Sequence, residues 1–170
     1  RKNIKKLEYA LRLNFPGLVQ SDLKDIPLFE DLKFSGPAHV SLNLNGNLDS
    51  FKFEHQADLA QVGYQIPGVM EKRPNALSKF KAKGSVLKKG GVTIENWSYE
   101  LGGNHVSGTA LIPDLDNPEF TVSLIANNFQ AYPSQQFFRF FDAEMDGTAD
   151  FKIDGSGNLN DLASSKFEGE

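Results

Sequence analysis

Apolar and polar residues alternate along seven stretches of this chain, and this alternation restricts its fold more than any other feature. In "AHVSLNL", which begins at Ala38, every second residue is apolar, and His39, Ser41 and Asn43 lie between them. Successive side chains of a β-strand point to opposite faces, so the pattern predicts a strand with one apolar and one solvated face. The other six stretches are "FKFEHQADLA", "FKAKGSV", "VTIENWSYEL", "HVSGTALI", "FTVSLIA" and "ADFKI".

Turn-forming residues separate these stretches at short intervals. Glycine, asparagine and aspartate favour the tight turns that join neighbouring antiparallel strands. They occur here as Gly46-Asn47, Lys89-Gly90-Gly91, Gly102-Gly103-Asn104 and Asp116-Asn117-Pro118. We therefore predict a mainly β fold with a long antiparallel sheet that is apolar on one face.

Few segments of the sequence are available to cover that apolar face. "IKKLEYALRL" has Ile4, Leu7 and Leu11 at helical spacing, and a second short helix is predicted for "PSQQFFRFFDA". Two short helices are too small to cover a long sheet. Either the sheet folds back on itself as a sandwich or barrel, or it curls into a trough whose apolar lining meets something other than protein.

One sequence pattern occurs twice, 111 positions apart. "GPAHVSLNLNGNLDSF" from Gly36 and "GTADFKIDGSGNLNDL" from Gly147 share Gly-x-Ala, alternating apolar residues and Gly-Asn-Leu. Long repeats of this kind can stack as an array, so we expect a piece of a longer protein. Residues 1–34 are predicted to end one unit with a helical segment, 35–145 to form a complete β unit ending in a Phe-rich helix, and 146–170 to begin the next.

The charge distribution argues against a nucleic-acid partner. The 170 residues carry a formal net charge of -4 and no basic block, whereas phosphate binding needs clustered lysine and arginine. Lys79, Lys81 and Lys83 alternate with Phe80 and Ala82, which predicts the solvated face of a strand.

Three segments together resemble a known family. They are "VGYQIPG", "GGVTIENWSYELGGNHVSGTALIPDLDNPEFTVSLIANNF" and "GTADFKIDGSGNLNDL", with Leu-Asp or Leu-Asn turns at Leu48, Leu115 and Leu159. From about Pro16 to its end, the chain resembles the AsmA-like proteins of the bacterial cell envelope, in the YhdP/TamB-like subgroup. The resemblance implies a long curved sheet that forms a taco-like groove in each repeat.

The resemblance also implies a function. AsmA-like proteins of this kind are anchored in the inner membrane, span the periplasm, and carry phospholipid in an apolar groove towards the outer membrane, in outer-membrane biogenesis. The partners implied are phospholipid, the membrane through parts of the chain outside this sequence, and other envelope proteins. The groove-lining residues expected on this view are Val40, Leu42, Leu44, Phe51, Phe53, Leu59, Phe80, Val86, Val92, Ile94, Val106, Ile112, Phe120, Val122, Leu124, Phe151 and Ile153.

The predicted Phe-rich helix is a further candidate functional element. Its aromatic residues cover too wide an arc for one narrow stripe, so we expect it to act as a lid on the groove or as a junction between units. Simple closure of the sheet end is the competing interpretation. The residues concerned are Phe137, Phe138, Phe140 and Phe141.

No catalytic signature accompanies the alternating strands. His39, His55 and His105 lie in separate strands without metal-site spacing, and the chain has no cysteine. There is no Gly-x-Ser-x-Gly elbow, and "GSGNLN" lacks the third glycine of a dinucleotide fingerprint. We expect a protein that is not an enzyme and that holds neither a cofactor nor a metal.

A β-sandwich is the alternative fold, and with it a binding module for carbohydrate or protein in an envelope protein. Alternating strands are commonly the core of such a sandwich. Aromatic side chains on a concave sheet can also stack against sugar rings.

Overall fold

The computed structural model describes residues 8–23, 34–66, 70–87, 90–131, 137 and 146–170. Nine of the strands in these residues form one antiparallel sheet, which is curved and open. In sheet order they are β1 (Tyr9–Leu18), β3 (Ala38–Asn47), β4 (Ser50–Asp58), β7 (Ser78–Val86), β8 (Val92–Leu101), β9 (Asn104–Ile112), β10 (Glu119–Gln130), β11 (Thr148–Asn158) and β12 (Asp161–Gly169).

A second, small sheet has three short strands. They are β2 (Phe34–Ser35), β5 (Gly63–Ile66) and β6 (Met70–Lys72), in the order β2-β5-β6. The predicted mainly β fold with a long curved antiparallel sheet is therefore confirmed. The β-sandwich alternative is wrong, because the small sheet is far too short to lie against nine long strands.

The alternation of the sequence determines which face each side chain takes. In β4, Phe51, Phe53 and His55 are half-buried, whereas Lys52 and Glu54 between them are exposed. The same alternation in the neighbouring strands gives the large sheet an apolar face and a polar face. Lys79, Lys81 and Lys83 of β7 are exposed on the polar face, as predicted.

The predicted N-terminal helix is not formed by the residues that the structure describes. Ile4 and Leu7 lie outside the described ranges, and Leu11 is in strand β1. Leu11 and Leu13 pair with Leu44 and Leu42 of β3, so cross-strand packing outweighs the local helical spacing. The helix found in this region is α1 (Gln20–Leu23), which has only four residues.

The two copies of the sequence repeat have equivalent structures. Gly36 and Gly147 both precede a strand with positive φ, 81° and 112°, a conformation that favours glycine. At the other end of that strand, the Asn47 and Asn158 side chains each accept a hydrogen bond of 2.9 Å from the amide two residues on. The copies therefore form the same hairpin turn, between β3 and β4 and between β11 and β12.

The equivalence also includes the preceding strands. Phe15 pairs with Val40 in β1–β3, and Ala126 pairs with Phe151 in β10–β11, an offset of 111 residues on both sides. In both pairs of strands the register shifts within the next three residues. One repeat thus contributes six strands to the sheet, which corresponds to an advance of about 29 Å at ~4.8 Å per strand.

The small sheet packs on one end of the large sheet, which we call the crossover end. Its strands β5 and β6 belong to the connection between β4 and β7, and β2 belongs to the connection between β1 and β3. The buried side chains of Met70, Leu101 and Phe137 form a core there, with Tyr64 and Tyr99 packed against it. The opposite end, the loop end, carries the β3–β4, β7–β8, β9–β10 and β11–β12 connections.

A buried lysine holds this connection together. Lys72 of β6 is only 1% exposed. Its ammonium group donates to the carbonyl oxygens of Leu59, Ala60, Val62 and Arg73 at 2.5–3.3 Å. One side chain therefore ties the chain that leaves β4 to the strand that precedes β7.

Candidate functional site

Cross-strand pairing arranges the apolar face in rows that run across the sheet. Residues directly opposite each other in an antiparallel pair point to the same face. We number the rows from the loop end. The second row crosses all nine strands and contains Leu11, Leu44, Phe53, Gly84, Ile94, Ala110, Val122, Gly155 and Phe167. It is a continuous apolar line of about 38 Å at ~4.8 Å per strand.

Three further rows run beside it. The first row contains Tyr9, Gly46, Phe51, Val86, Val92 and Ile112, and the paired residues Phe120 of β10 and Gly157 of β11 continue it. The third row contains Leu13, Leu42, His55, Ala82, Trp97, Gly108, Leu124, Ile153 and Gly169. The fourth row contains Phe15, Val40, Ala57, Phe80, Tyr99, Val106, Ala126 and Phe151.

Sixteen of the seventeen residues predicted to line a groove lie in these four rows. The exception, Leu59, follows β4, and its amide donates to the Ser78 carbonyl at the crossover end. All seventeen are half-buried, neither enclosed nor fully exposed. The large sheet therefore brings the predicted residues together on one face.

The described residues leave most of this face uncovered. No large side chain in the four rows is buried, whereas Leu101, just beyond the fourth row, is 5% exposed beneath the small sheet. Complete burial of a large apolar side chain is worth roughly 1.5–3 kcal/mol, so covering a half-buried one gains about 1 kcal/mol. Over a dozen such side chains, an apolar ligand gains on the order of 10 kcal/mol.

Aromatic rings lie low on this face because glycines stand opposite them. Phe53 pairs with Gly84, and Trp97 pairs with Gly108. A Cβ atom at Gly84 would be 2.8 Å from the Phe53 ring, and one at Gly108 would be 3.0 Å from the Trp97 ring. The rings therefore lie over the glycine backbone, so they project less from the surface of the sheet.

A cluster of hydroxyl groups lies where the small sheet meets the fourth row. Tyr64 of β5 hydrogen-bonds to the Tyr99 hydroxyl, and Ser78 donates to the same hydroxyl at 3.0 Å. Burial, followed by the proximity of Tyr99, raises the pKa of Tyr64 above its usual value. The small sheet thus borders the apolar face with uncharged polar groups.

Phe137 contributes to the closed crossover end. It is 6% exposed, and its carbonyl oxygen accepts a hydrogen bond of 2.7 Å from the Glu71 amide. Its ring lies against the β8–β9 turn, where a Cβ on Gly102 would be 2.5 Å away. The other three phenylalanines of the predicted helix, Phe138, Phe140 and Phe141, lie outside the described residues.

The three histidines lie on different faces of the sheet. His39 is paired with Asp58, and His105 with Glu100, on the polar face. His55 is in the third row of the apolar face. Within the described ranges, no three His, Cys, Asp or Glu side chains come together in a group that could hold a metal ion.

The polar face offers a different kind of surface. A broad, open depression crosses β8 to β12 and is lined by short polar side chains, among them Thr109, Ser123 and Asp154. Opposite charges pair across strands, as Lys83 does with Glu54 at 3.5 Å. Such exposed pairs contribute little to stability. Leu111, which also lines the depression, and Ile125 are exposed on this face, so it is a solvated surface with scattered apolar side chains rather than a continuous apolar row.

The chain matches no protein-family model, and searches of curated proteins and of solved structures also found no match. In the part of the chain that the structure describes, no helix has the length and apolar character needed to cross a membrane.

Proposed function

We propose that this chain is a segment of a lipid-transfer bridge of the AsmA-like kind, which carries phospholipid acyl chains along its apolar face between the inner and outer membranes. The observation that carries the proposal is the second row, apolar or glycine at every position across nine strands. An isolated binding pocket needs no such continuity, whereas a path along the sheet does.

The energetics of lipid transfer explain why such a path is useful. Moving a lipid with about thirty acyl methylenes into water costs roughly 25 kcal/mol at ~0.8 kcal/mol each. A barrier of that height makes unassisted transfer extremely slow. An uncovered apolar face lowers the barrier without covalent chemistry, because the acyl chains remain in contact with apolar side chains while the headgroups keep contact with water at the open side of the face.

The repeat supports a path longer than this segment. On this proposal each unit adds six strands to the sheet, so every row is extended by about 29 Å per unit at ~4.8 Å per strand. On this proposal the protein lies in the periplasm, and its membrane anchor and further partners belong to parts of the protein outside this sequence. Acyl chains move along the strand order, perpendicular to the strands.

Native mass spectrometry with lipid extraction, on the chain purified from a bacterial host without detergent, tests the proposal. We expect bound phospholipid, and we expect the double variant Leu42→Asp/Val122→Asp to lose it, because two carboxylates on the apolar face oppose acyl contact. The matched control is Ser41→Asp/Thr121→Asp, which changes adjacent residues of the same strands on the polar face.

Circular dichroism should show the same fold for both double variants. A wild-type chain that is folded and free of lipid would contradict the proposal. Binding of oligosaccharide instead, lost on changing Trp97 to Ala, would favour the carbohydrate-binding alternative, since Trp97 is half-buried in the third row.

A further inference from the structure

His55 is chemically different from its neighbours on the apolar face. It stands in the third row, directly opposite Leu42 on one side and Ala82 on the other. The other titratable side chains in the four rows are Tyr9 and Tyr99, and a phenol cannot carry a positive charge. His55 is therefore the one residue of the four rows that can acquire a positive charge near neutral pH.

The surroundings of His55 leave its imidazole accessible from the apolar side. Along β4 its neighbours on this face are Phe53 and Ala57, and the Phe80 ring lies 5.8 Å away between centroids. Ala57 and Ala82 have short side chains, so space remains beside the ring. No described residue hydrogen-bonds the imidazole, which leaves its nitrogen atoms available to a ligand.

Charged groups on the neighbouring strands face the other way. On β4 itself Glu54 points to the polar face, and on β7 Lys81 and Lys83 do the same. On β3 the residues flanking Leu42 are the uncharged Ser41 and Asn43. The nearest titratable group on the same face is Tyr99, one row and two strands away.

We propose that His55 forms a subsite for the anionic headgroup of an amphiphile, whose alkyl chain lies against the apolar rows on either side. This inference rests on the proposed function and names the ligand chemistry that the face selects. Imidazolium donates a charge-assisted hydrogen bond to a carboxylate, phosphate or sulfonate oxygen. Neutral imidazole lacks the charge, so the preference for anions depends on pH.

The pKa of His55 sets the pH range of this preference. Burial lowers the pKa of His55 from its usual value of 6.5. The imidazole is therefore neutral at pH 7.5, and it gains its proton in a more acidic range than an ordinary histidine does. A bound anion favours the protonated form and strengthens binding in that acidic range.

The test is a fluorescence titration of the full chain with two pyrene-labelled probes of equal chain length. One is an alkylsulfonate, which stays ionised at every pH used, and the other is the uncharged alcohol. We expect the sulfonate to bind about tenfold more tightly at pH 5.0 than at pH 7.5, as a hydrogen bond to a charged group allows. The alcohol should bind equally at both pH values.

Variants assign the effect to one residue. His55→Leu and His55→Gln should each abolish the pH dependence and keep binding of the alcohol. The control His105→Leu removes a histidine from the polar face and should keep the pH dependence. If neither probe binds, the proposed function fails as well. If the alcohol binds but sulfonate affinity is independent of pH, or remains dependent on pH in His55→Leu, only the subsite is overturned.

Discussion

The contact between Trp97 and Gly108 links a single residue to the shape of the whole apolar face. A Cβ atom at Gly108 would lie 1.9 Å from the Ser123 carbonyl oxygen and 3.0 Å from the indole ring. No side chain fits there unless backbone and ring both move. The absence of a side chain at Gly108 therefore lets the indole lie low across β8 and β9, which keeps the third row open to a ligand.

Gly108→Ala is expected to destabilise the protein by about 1–3 kcal/mol, because the added methyl group overpacks against backbone. Gly17→Ala is the matched control, since nothing lies within 4 Å of a Cβ atom at Gly17. That change should stay within roughly 0.5 kcal/mol. Urea unfolding followed by Trp97 fluorescence measures both variants, and equal stabilities for the two would contradict the packing argument.

At the scale of elements, the connection between β4 and β7 does more than join two strands, because it also borders one end of the apolar face. Its strands β5 and β6 border the apolar face, and the Lys72 ammonium group joins the two ends of the connection through four carbonyl oxygens. Burial lowers the pKa of Lys72, and Asp58 partly opposes that shift. The hydrogen bonds to carbonyl oxygens compensate for the loss of water around the charge.

Lys72→Met should detach the small sheet without unfolding the large one. The substitution keeps the aliphatic part of the side chain but leaves the buried Val62 carbonyl oxygen without its lysine donor, at a cost of about 1–3 kcal/mol for an unsatisfied group. The Leu59 and Ala60 carbonyl oxygens still accept from backbone amides. Hydrogen exchange should therefore accelerate at the amides of β5 and β6 and remain slow in β8 and β9.

Lys79→Met is the control for this change. Lys79 is an exposed residue of the polar face of β7, so its loss should leave hydrogen exchange unchanged in both sheets. Uniform acceleration over both sheets in Lys72→Met would mean that the small sheet is not a separate cooperative unit.

At the scale of the whole molecule, the chain combines one set of six strands with the start of an equivalent set. Strands β1, β3 and the start of β4 correspond to β10, β11 and the start of β12. The correspondence ends after the β11–β12 turn. The pairing of β11 with β12 shifts in register between Ser156 and Asn158, whereas the pairing of β3 with β4 has no such shift. Leucines in all four connections at the loop end are exposed, namely Leu48, Leu87, Leu115 and Leu159.

Insertion of a second copy of residues 36–146 after position 146 should lengthen the sheet by six strands. The junction reproduces the native one, since Gly36 and Gly147 are equivalent. Small-angle X-ray scattering should show a maximum dimension greater by about 29 Å at ~4.8 Å per strand. The control inserts residues 36–95, which stops in the middle of a unit. If both insertions give the same elongation or aggregate equally, the unit of 111 residues is not a structural repeat.

Much of the large sheet could be predicted from the sequence, because alternation and turn chemistry are local properties. The polar side chains of β4 and β7, the hairpin at Leu48 and the shared face of sixteen predicted residues all follow from a two-residue period. The same period also places His55 beside Phe53 and Ala57 on one face of β4. The sequence signal for its position was therefore present.

Only the tertiary structure decided the features that depend on distant partners. Residues 9–13 form a strand because Leu44 and Leu42 pair with Leu11 and Leu13, and helical spacing alone carries no information about that pairing. The small sheet, the contact of Lys72 with the Val62 carbonyl oxygen and the register that places Trp97 over Gly108 likewise depend on pairings that a two-residue period does not specify. Local patterns determine which face a side chain takes, whereas register and packing determine what it meets there.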